Sequence, residues 1–479
     1  MLFNSLTFAL FFPAFCALYF LAPRNVRTPL LLVASCVFYM YFIPIYILIL
    51  LVTILIDYVA GIYIERSSGP GRKAWLVGSI LSTCAVLLVF KYLNFFMENL
   101  AAVSHLLGWD IGDPRWKIIL PIGLSFHTFQ SLSYVIEVYR GHQKAEKDFV
   151  IYATYVMFFP QLVAGPIERP QGLLVQFRQH HEFDWERVTS GLRRMAWGFF
   201  KKVVIADRLA LYVNDVYGAP QSFNGLQLTL ATFFFAYQIY CDFSGYSDIA
   251  VGSARVLGFK LMENFNTPYY SRSISEFWRR WHISLSSWFR DYLYDPLVEK
   301  FRSSSGWAIA ILITFGVSGL WHGAAWTYVI WGLLNGVYLL AGGLTEEPRN
   351  RLYRAIGIAD DSTLRGAIRI AATFGLTCIA WVLFRGNSLP DVGYVLTHFW
   401  RGWDFSAIST PQFLLRQMPV AVAGIIVLEA VQLLNRRVSL SGLLGRAPLL
   451  PRWAFYFAWI YGMVLLGVFR NEQFIYFQF

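Results

Sequence analysis

Two histidines in aromatic surroundings are the residues of this chain best suited to chemistry. His282 stands in FWRRWHISLSSWFRDYLYD, Phe277–Asp295, and His322 in GVSGLWHGAAW, with no charged residue for many positions on either side. Imidazole, with an ordinary pKa of ~6.5, is the side chain best matched to taking a hydroxyl proton near neutrality. Burial disfavours the imidazolium form, so a histidine among Leu320, Trp321 and Ala324 is expected to be neutral and able to accept a proton. A titratable group at membrane depth is costly to bury, which makes it a functional candidate. Hydrogen bonding across helices is the plainer role for such a histidine, and the residues alone leave it open.

Acyl transfer to a hydroxyl would use a base of this kind. The oxyanion it generates needs donors, for which Trp281, Trp321, Asn264 and backbone N–H groups are candidates. Gly319 and Gly323, on either side of His322, leave the backbone approachable. No GxSxG elbow is present, so direct transfer from donor to acceptor is preferred over an acyl-enzyme. Arg279, Arg280 and Arg290 suit anchoring to lipid headgroups first, and second a grip on an anionic coenzyme A phosphate or a carrier protein. Asp242 and Asp248 fall near or within an apolar run and should face the interior or a wet cavity, as partners for tyrosine or arginine ahead of direct chemistry, with Asp242 also a candidate substrate-binding residue. Gln161 and Glu168, in the breaker-rich FPQLVAGPIERPQ, suit a tunnel entrance or the backbone groups freed by Pro160 and Pro166.

The elements that position these residues belong to a membrane protein. Hydrophobic residues make up 57% of the 479 and charged residues 14%, and mean hydropathy is +0.48, whereas a soluble domain is about a quarter charged. About ten or eleven apolar runs approach the ~20 residues that span a bilayer, leaving no sizeable soluble domain. The formal net charge is +11, but the basic residues sit in short segments between apolar runs. That is the signature of cytoplasmic loops rather than of nucleic-acid binding. Five scattered cysteines without CxxC spacing indicate neither a metal site nor a disulfide framework. The first apolar run has no positive leader and no small-residue cleavage site, and reads as a retained helix.

Along the chain, Arg24 and Arg27 mark a first cytoplasmic turn, and Leu30–Ile64, interrupted at Ile43-Pro44, reads as two short helices. Ala74–Leu100 crosses outward to an external loop, Gly108–Pro114, and Trp116–Val138 returns. Ile151–Gly165 is too short to span and reads as re-entrant or interfacial. Arg169–Arg194 is basic and cytoplasmic. Met195–Val216 and Leu226–Leu257 follow, then Lys260–Ser305 without a span. Trp307–Leu344, Ile368–Phe384, Met418–Leu434 and Trp453–Phe469 complete the set. On a helical wheel at 100° per residue, Phe277, Trp278, Trp281, His282, Leu285, Trp288, Phe289 and Tyr292 share an arc of about 140°, with arginines and serines opposite. The spacing predicts one amphipathic helix lying at the membrane surface or roofing a cavity in a membrane protein.

GPIERP at 165–170, DFSGYSDIA at 242–250, FWRRWHISLSSWFRDYLY at 277–294, GLWHGAAW at 319–326 and the closing FIYFQF at 474–479 resemble the membrane-bound O-acyltransferases. Within them, the chain is similar to the bacterial branch that O-acetylates alginate, cellulose or peptidoglycan and, more distantly, to the D-alanyl transfer protein of teichoic acids. The resemblance implies an all-α polytopic membrane protein, one integral-membrane domain over 1–479, with about ten or eleven transmembrane helices plus re-entrant and interfacial helices around a central tunnel. It implies transfer of an acyl group, usually acetyl, from a cytoplasmic thioester such as acetyl-CoA for O-acetylation of an exported polysaccharide at the bacterial inner membrane. A periplasmic acetyltransferase is the implied partner; no bound cofactor and no metal are expected. The family's membrane-embedded histidine matches His322, and its second motif histidine matches His282. Two other classes compete: a lipid-directed acyltransferase, and a transporter using His322 and the aspartates as a proton relay.

Overall fold

The computed structural model of the protein describes residues 1–109, 112, 116, 118–303, 305–409, 413, 417–469, 474 and 475. Most of the expected outer loop Gly108–Pro114 and most of the closing FIYFQF lie outside the described residues. Every regular element among the described residues is helical. In a chain this apolar, helices satisfy each backbone N–H and C=O within one segment, without water. Two compact units result. One comprises Met1–Leu192, Ala250–Met262 and Gly323–Ala325, and the other Arg193–Ile249, Glu263–His322 and Trp326–Phe479.

The first unit is built from α1 (Leu6–Leu21), α2 (Arg27–Met40), α3 (Tyr46–Arg66), α4 (Gly69–Leu106) and α5 (Leu124–Arg140). As expected, the chain breaks near Pro44 into two helices, because proline cannot continue the preceding one. The run after Asp148 folds into two short helices, Phe149–Met157 and Phe159–Leu162, which are buried almost throughout. Polar groups inside this unit are paired. Asp57 of α3, fully buried, accepts hydrogen bonds from Ser79 at 2.6 Å and Thr83 at 3.2 Å on α4.

The second unit carries most of α6 (185–218, with a π-helical stretch at Phe200–Ala206) and of α7 (Gly225–Leu257), and all of α8 (Ile274–Arg280), α9 (Ile283–Phe289), α10 (Gly306–His322), α11 (Trp326–Leu344), α12 (Thr363–Arg385), α13 (Met418–Asn435) and α14 (Leu449–Leu466). Among the described residues six helices, α3, α4, α11, α12, α13 and α14, are long and apolar enough to cross a membrane, and α1 and α10 are shorter apolar helices. The remaining apolar runs fold as short helices or as helices that turn their polar residues inward. Within this unit α6 and α7 meet backbone to backbone, since a Cβ on Gly198 would lie 2.6 Å from the Gly245 carbonyl oxygen. Small residues at such a crossing are what let membrane helices approach closely.

Gly319 departs from expectation. A Cβ there would meet the Tyr328 carbonyl oxygen at 2.3 Å, and one on Gly332 would meet the Phe315 carbonyl oxygen at 2.2 Å. The glycine therefore seats α10 against α11 rather than leaving room for a substrate.

Candidate active site

The expected amphipathic helix over Phe277–Asp295 is not continuous. It is two short helices, α8 and α9, followed by a π-helical turn at Arg290–Tyr294. The break falls at Trp281, which is extended, and His282, whose φ of 44° and ψ of 55° are left-handed. A non-glycine residue held there costs about 1–3 kcal/mol and persists only where its surroundings enforce it. Asn264 does the enforcing. Its backbone carbonyl accepts from the Ile283 N–H at 3.0 Å. Its side-chain oxygen accepts from the Ser284 N–H at 3.2 Å, the Ser284 hydroxyl at 3.0 Å and the His282 ring at 3.1 Å. A residue remote in sequence thus caps α9, the task usually done by the residue just before a helix.

This contact fixes the chemistry of His282. Burial pushes its imidazole down to about 3, so the ring is neutral. Nδ1 faces the carbonyl oxygen of Asn264 and therefore carries the hydrogen, which leaves the lone pair on Nε2. Phe243 meets the ring edge to face, centroids 4.6 Å apart.

His322 closes α10 and is 4% exposed. Trp321 at 4.8 Å, Trp331 at 4.9 Å and Phe384 at 5.5 Å box its ring, all near perpendicular. Trp321 also reaches His282, centroids 6.3 Å apart, so both histidines border one indole. Trp281 lies behind them, buried between Phe265 at 5.1 Å and Trp381 at 5.1 Å. The structure thus brings His282, His322, Trp281, Trp321 and Asn264 into one neighbourhood.

The neighbours Arg279 and Arg280 part company. Arg280 pairs with Glu276 at 2.6 Å and lines a polar cavity of about 760 Å³ with Arg272 and Arg436. Arg279 lines a separate cavity. Asn266, Thr267 and Gln432 border both the polar cavity and a smaller one of about 170 Å³, whose wall includes Asn264. Asp242 is held by the Lys202 ammonium at 2.5 Å and accepts from the Ile475 N–H at 2.7 Å. Asp248 takes Lys201 at 2.6 Å and Arg194 at 2.9 Å. Both carboxylates are thus engaged by structural partners. Gln161 and Glu168 belong to the first unit. There Gln161 donates to the Tyr155 carbonyl at 3.0 Å, and Glu168 accepts from the Met262 N–H at 2.6 Å while burial pushes its carboxyl up to about 7. Both bond to backbone groups near the prolines.

Sequence reasoning did not find Lys201, Lys202 or Arg194, although the two lysines, cations inside the apolar run Met195–Val216, were a readable signal; Arg194 just precedes that run. Trp331, Phe384 and Phe243 gave no signal, since one aromatic among many does not declare its neighbour.

The model of the MBOAT, membrane-bound O-acyltransferase, family matches residues 142–385, the span that contains both histidines, Asn264, Asp242 and Arg279. The chain belongs to the membrane-bound O-acyltransferase family. It is accordingly an acyltransferase embedded in the membrane by several passes. This O-acyltransferase is 38% identical over 392 residues to the probable alginate O-acetylase AlgI of Pseudomonas aeruginosa, covering 81% of the present chain and 73% of the relative. It is 30% identical to the peptidoglycan O-acetyltransferase of Helicobacter pylori, over 79% of the chain and 75% of the relative. It is 28% identical to the teichoic acid D-alanyltransferase of Bacillus subtilis, over 57% and 71%.

Removing the cap is expected to loosen this site. Asn264→Ala orphans the Ser284 N–H and the His282 ring nitrogen, each buried loss worth about 1–3 kcal/mol. Acyl transfer per folded molecule should fall about tenfold or more, with a lower thermal midpoint of the purified protein. Unchanged transfer and midpoint would remove Asn264 from the site.

Proposed function

We propose that this acyltransferase, acting as one domain over residues 1–479, takes an acetyl group from a cytoplasmic thioester such as acetyl-CoA and passes it across the bacterial inner membrane for O-acetylation of an exported polysaccharide. A periplasmic acetyltransferase completes the modification. The observation that carries this reading is the pair of buried imidazoles bordering Trp321, one boxed by aromatic rings and the other held in a single tautomer. The relatives that cover most of the chain are named for O-acetylation of alginate and of peptidoglycan, which favours a glycan acceptor.

In this mechanism His322 takes the proton of the acceptor hydroxyl while its oxygen attacks the thioester carbonyl carbon. The tetrahedral oxyanion is stabilised by N–H donors, with Trp281 and Trp321 the candidate indoles. The carbon–sulfur bond then breaks, and the departing thiolate takes the proton back from the imidazolium. His282 presents the lone pair of Nε2 and orients the acceptor hydroxyl. Arg280, beside Arg272 and Arg436, suits the phosphates of the donor.

Cells producing the protein with its neighbouring secretion genes test this reading. Base-labile acetate should appear on the secreted polymer and disappear on deletion. Acetate confined to extractable lipid would replace the reading with the lipid-directed one, the second candidate.

A cytoplasmic donor also requires a defined topology. Arg66–Lys73, Arg140–Lys147 and Arg169–Arg194 are expected on the cytoplasmic side from their lysine and arginine content. Single cysteines introduced there should resist an impermeant thiol reagent in intact cells. Labelling at two of the three would reverse the orientation.

A further inference from the structure

Arg279 opens a second cavity that the acyl-transfer reading does not use. It encloses about 530 Å³ between the Ser275–Tyr294 stretch and the helices α10 and α11, within the ~300–1,000 Å³ typical of small-molecule sites. Leu285, Phe289, Ile311, Phe315 and Leu339 make its walls apolar. Two guanidinium groups stand at it, Arg279 and Arg290. Arg290 pairs with the neighbouring Asp291 at 2.9 Å. Arg279 is exposed and makes no hydrogen bond or ion pair among the described residues. Two of its lining residues, Thr314 and Trp278, carry a buried polar atom with no protein partner. Thr314, 6% exposed, lines the cavity with a hydroxyl that has no protein partner.

We infer that this cavity holds one membrane phospholipid with an anionic headgroup, its phosphate on Arg279, an ester carbonyl accepting from the Thr314 hydroxyl and an acyl chain among the apolar side chains. The surroundings supply the ligand. Ile309, Ile313 and Val317 of α10 and Leu333 and Val337 of α11 are exposed large apolar residues on the helices that wall the cavity, the face a bilayer would cover. A single uncompensated cation matches one phosphodiester rather than the several phosphates of a nucleotide thioester. The mainly apolar wall suits an acyl chain better than the amide-bearing arm of pantetheine. The site is distinct from the polar cavity of Arg280, so adjacent arginines serve different anions.

The position of the cavity gives the lipid a consequence. Thr314, Ser318 and His322 recur every four residues on α10, so they share one helix face. Trp278, which also lines the cavity, packs on Trp331 at 5.8 Å, and Trp331 packs on His322 at 4.9 Å. A lipid here braces the ring box from the side.

Delipidated full-length protein, mixed with vesicles of equal phosphatidylglycerol and phosphatidylcholine and then purified again in detergent, tests the inference by mass spectrometry of retained lipid. The unmodified protein should retain phosphatidylglycerol preferentially. Arg279→Gln should lose that preference by about fivefold, the worth of one arginine at an anionic lipid surface. Leu339→Trp fills the cavity and should lower retention of both lipids. Unchanged preference in Arg279→Gln would overturn the inference, as would unchanged retention in a folded Leu339→Trp. Arg279 is exposed, so its substitution keeps the test valid if the tryptophan variant fails to fold. The readout is independent of acyl transfer.

Discussion

Lys202→Met is expected to strip most of the folded protein from the membrane. Lys202 is 7% exposed and its ammonium lies between Asp207 at 2.7 Å and Asp242 at 2.5 Å. Asp242 in turn holds the Ile475 N–H, and Phe474 next to it packs against Phe243 at 5.6 Å and Tyr246 at 5.0 Å. Removing the cation leaves two buried carboxylates facing each other. Breaking a buried pair on one side costs about 3–5 kcal/mol, a large fraction of the ~5–15 kcal/mol that holds a folded domain together. Membrane level and thermal midpoint should both fall sharply. Adding Asp207→Asn and Asp242→Asn to the same chain removes the stranded charges and should restore much of the loss. Normal stability of Lys202→Met alone would show that the triad is dispensable.

The residues that sequence reasoning read well are those whose signal is local. Hydropathy alone placed Ala74–Leu100 within α4, Met418–Leu434 in α13 and most of Trp453–Phe469 in α14, because ~20 apolar residues leave few alternatives to a helix. Pro44 marked its break for an equally local reason. Phe277–Asp295 failed because its aromatic spacing is helical on both sides of a break that the segment itself does not encode. The break is imposed by Asn264, which no periodicity within 277–295 can reveal. The same holds for Gly319, whose neighbours Tyr328 and Gly332 come from another helix. Conversely, His322 was legible as a candidate because no charge lies near it in sequence, yet its box depends on Phe384, brought in by α12. Asp242 and Asp248 were legible as facing the interior or a cavity, while their pairing with Lys202, Lys201 and Arg194 depends on α6 lying beside α7.

His282 tests the weaker half of the pair. If its Nε2 orients the acceptor, His282→Ala should lower transfer by less than loss of the base does, and a full loss equal to that of His322 would make the two roles inseparable.

The central claim is that His322 acts as the base. General-base catalysis contributes about 10²–10⁴-fold, so His322→Ala should reduce acetylation of the exported product by that order. Glutamine discriminates base from scaffold, because it keeps the polarity and much of the volume of histidine but takes no proton near neutral pH. The decisive measurement is the acetyl content of the secreted polymer, normalised to folded protein in the membrane, for His322→Gln beside His322→Ala. The two variants should be about equally inactive. Near-normal acetylation by His322→Gln would contradict the mechanism and leave the histidine a packing residue of its aromatic box.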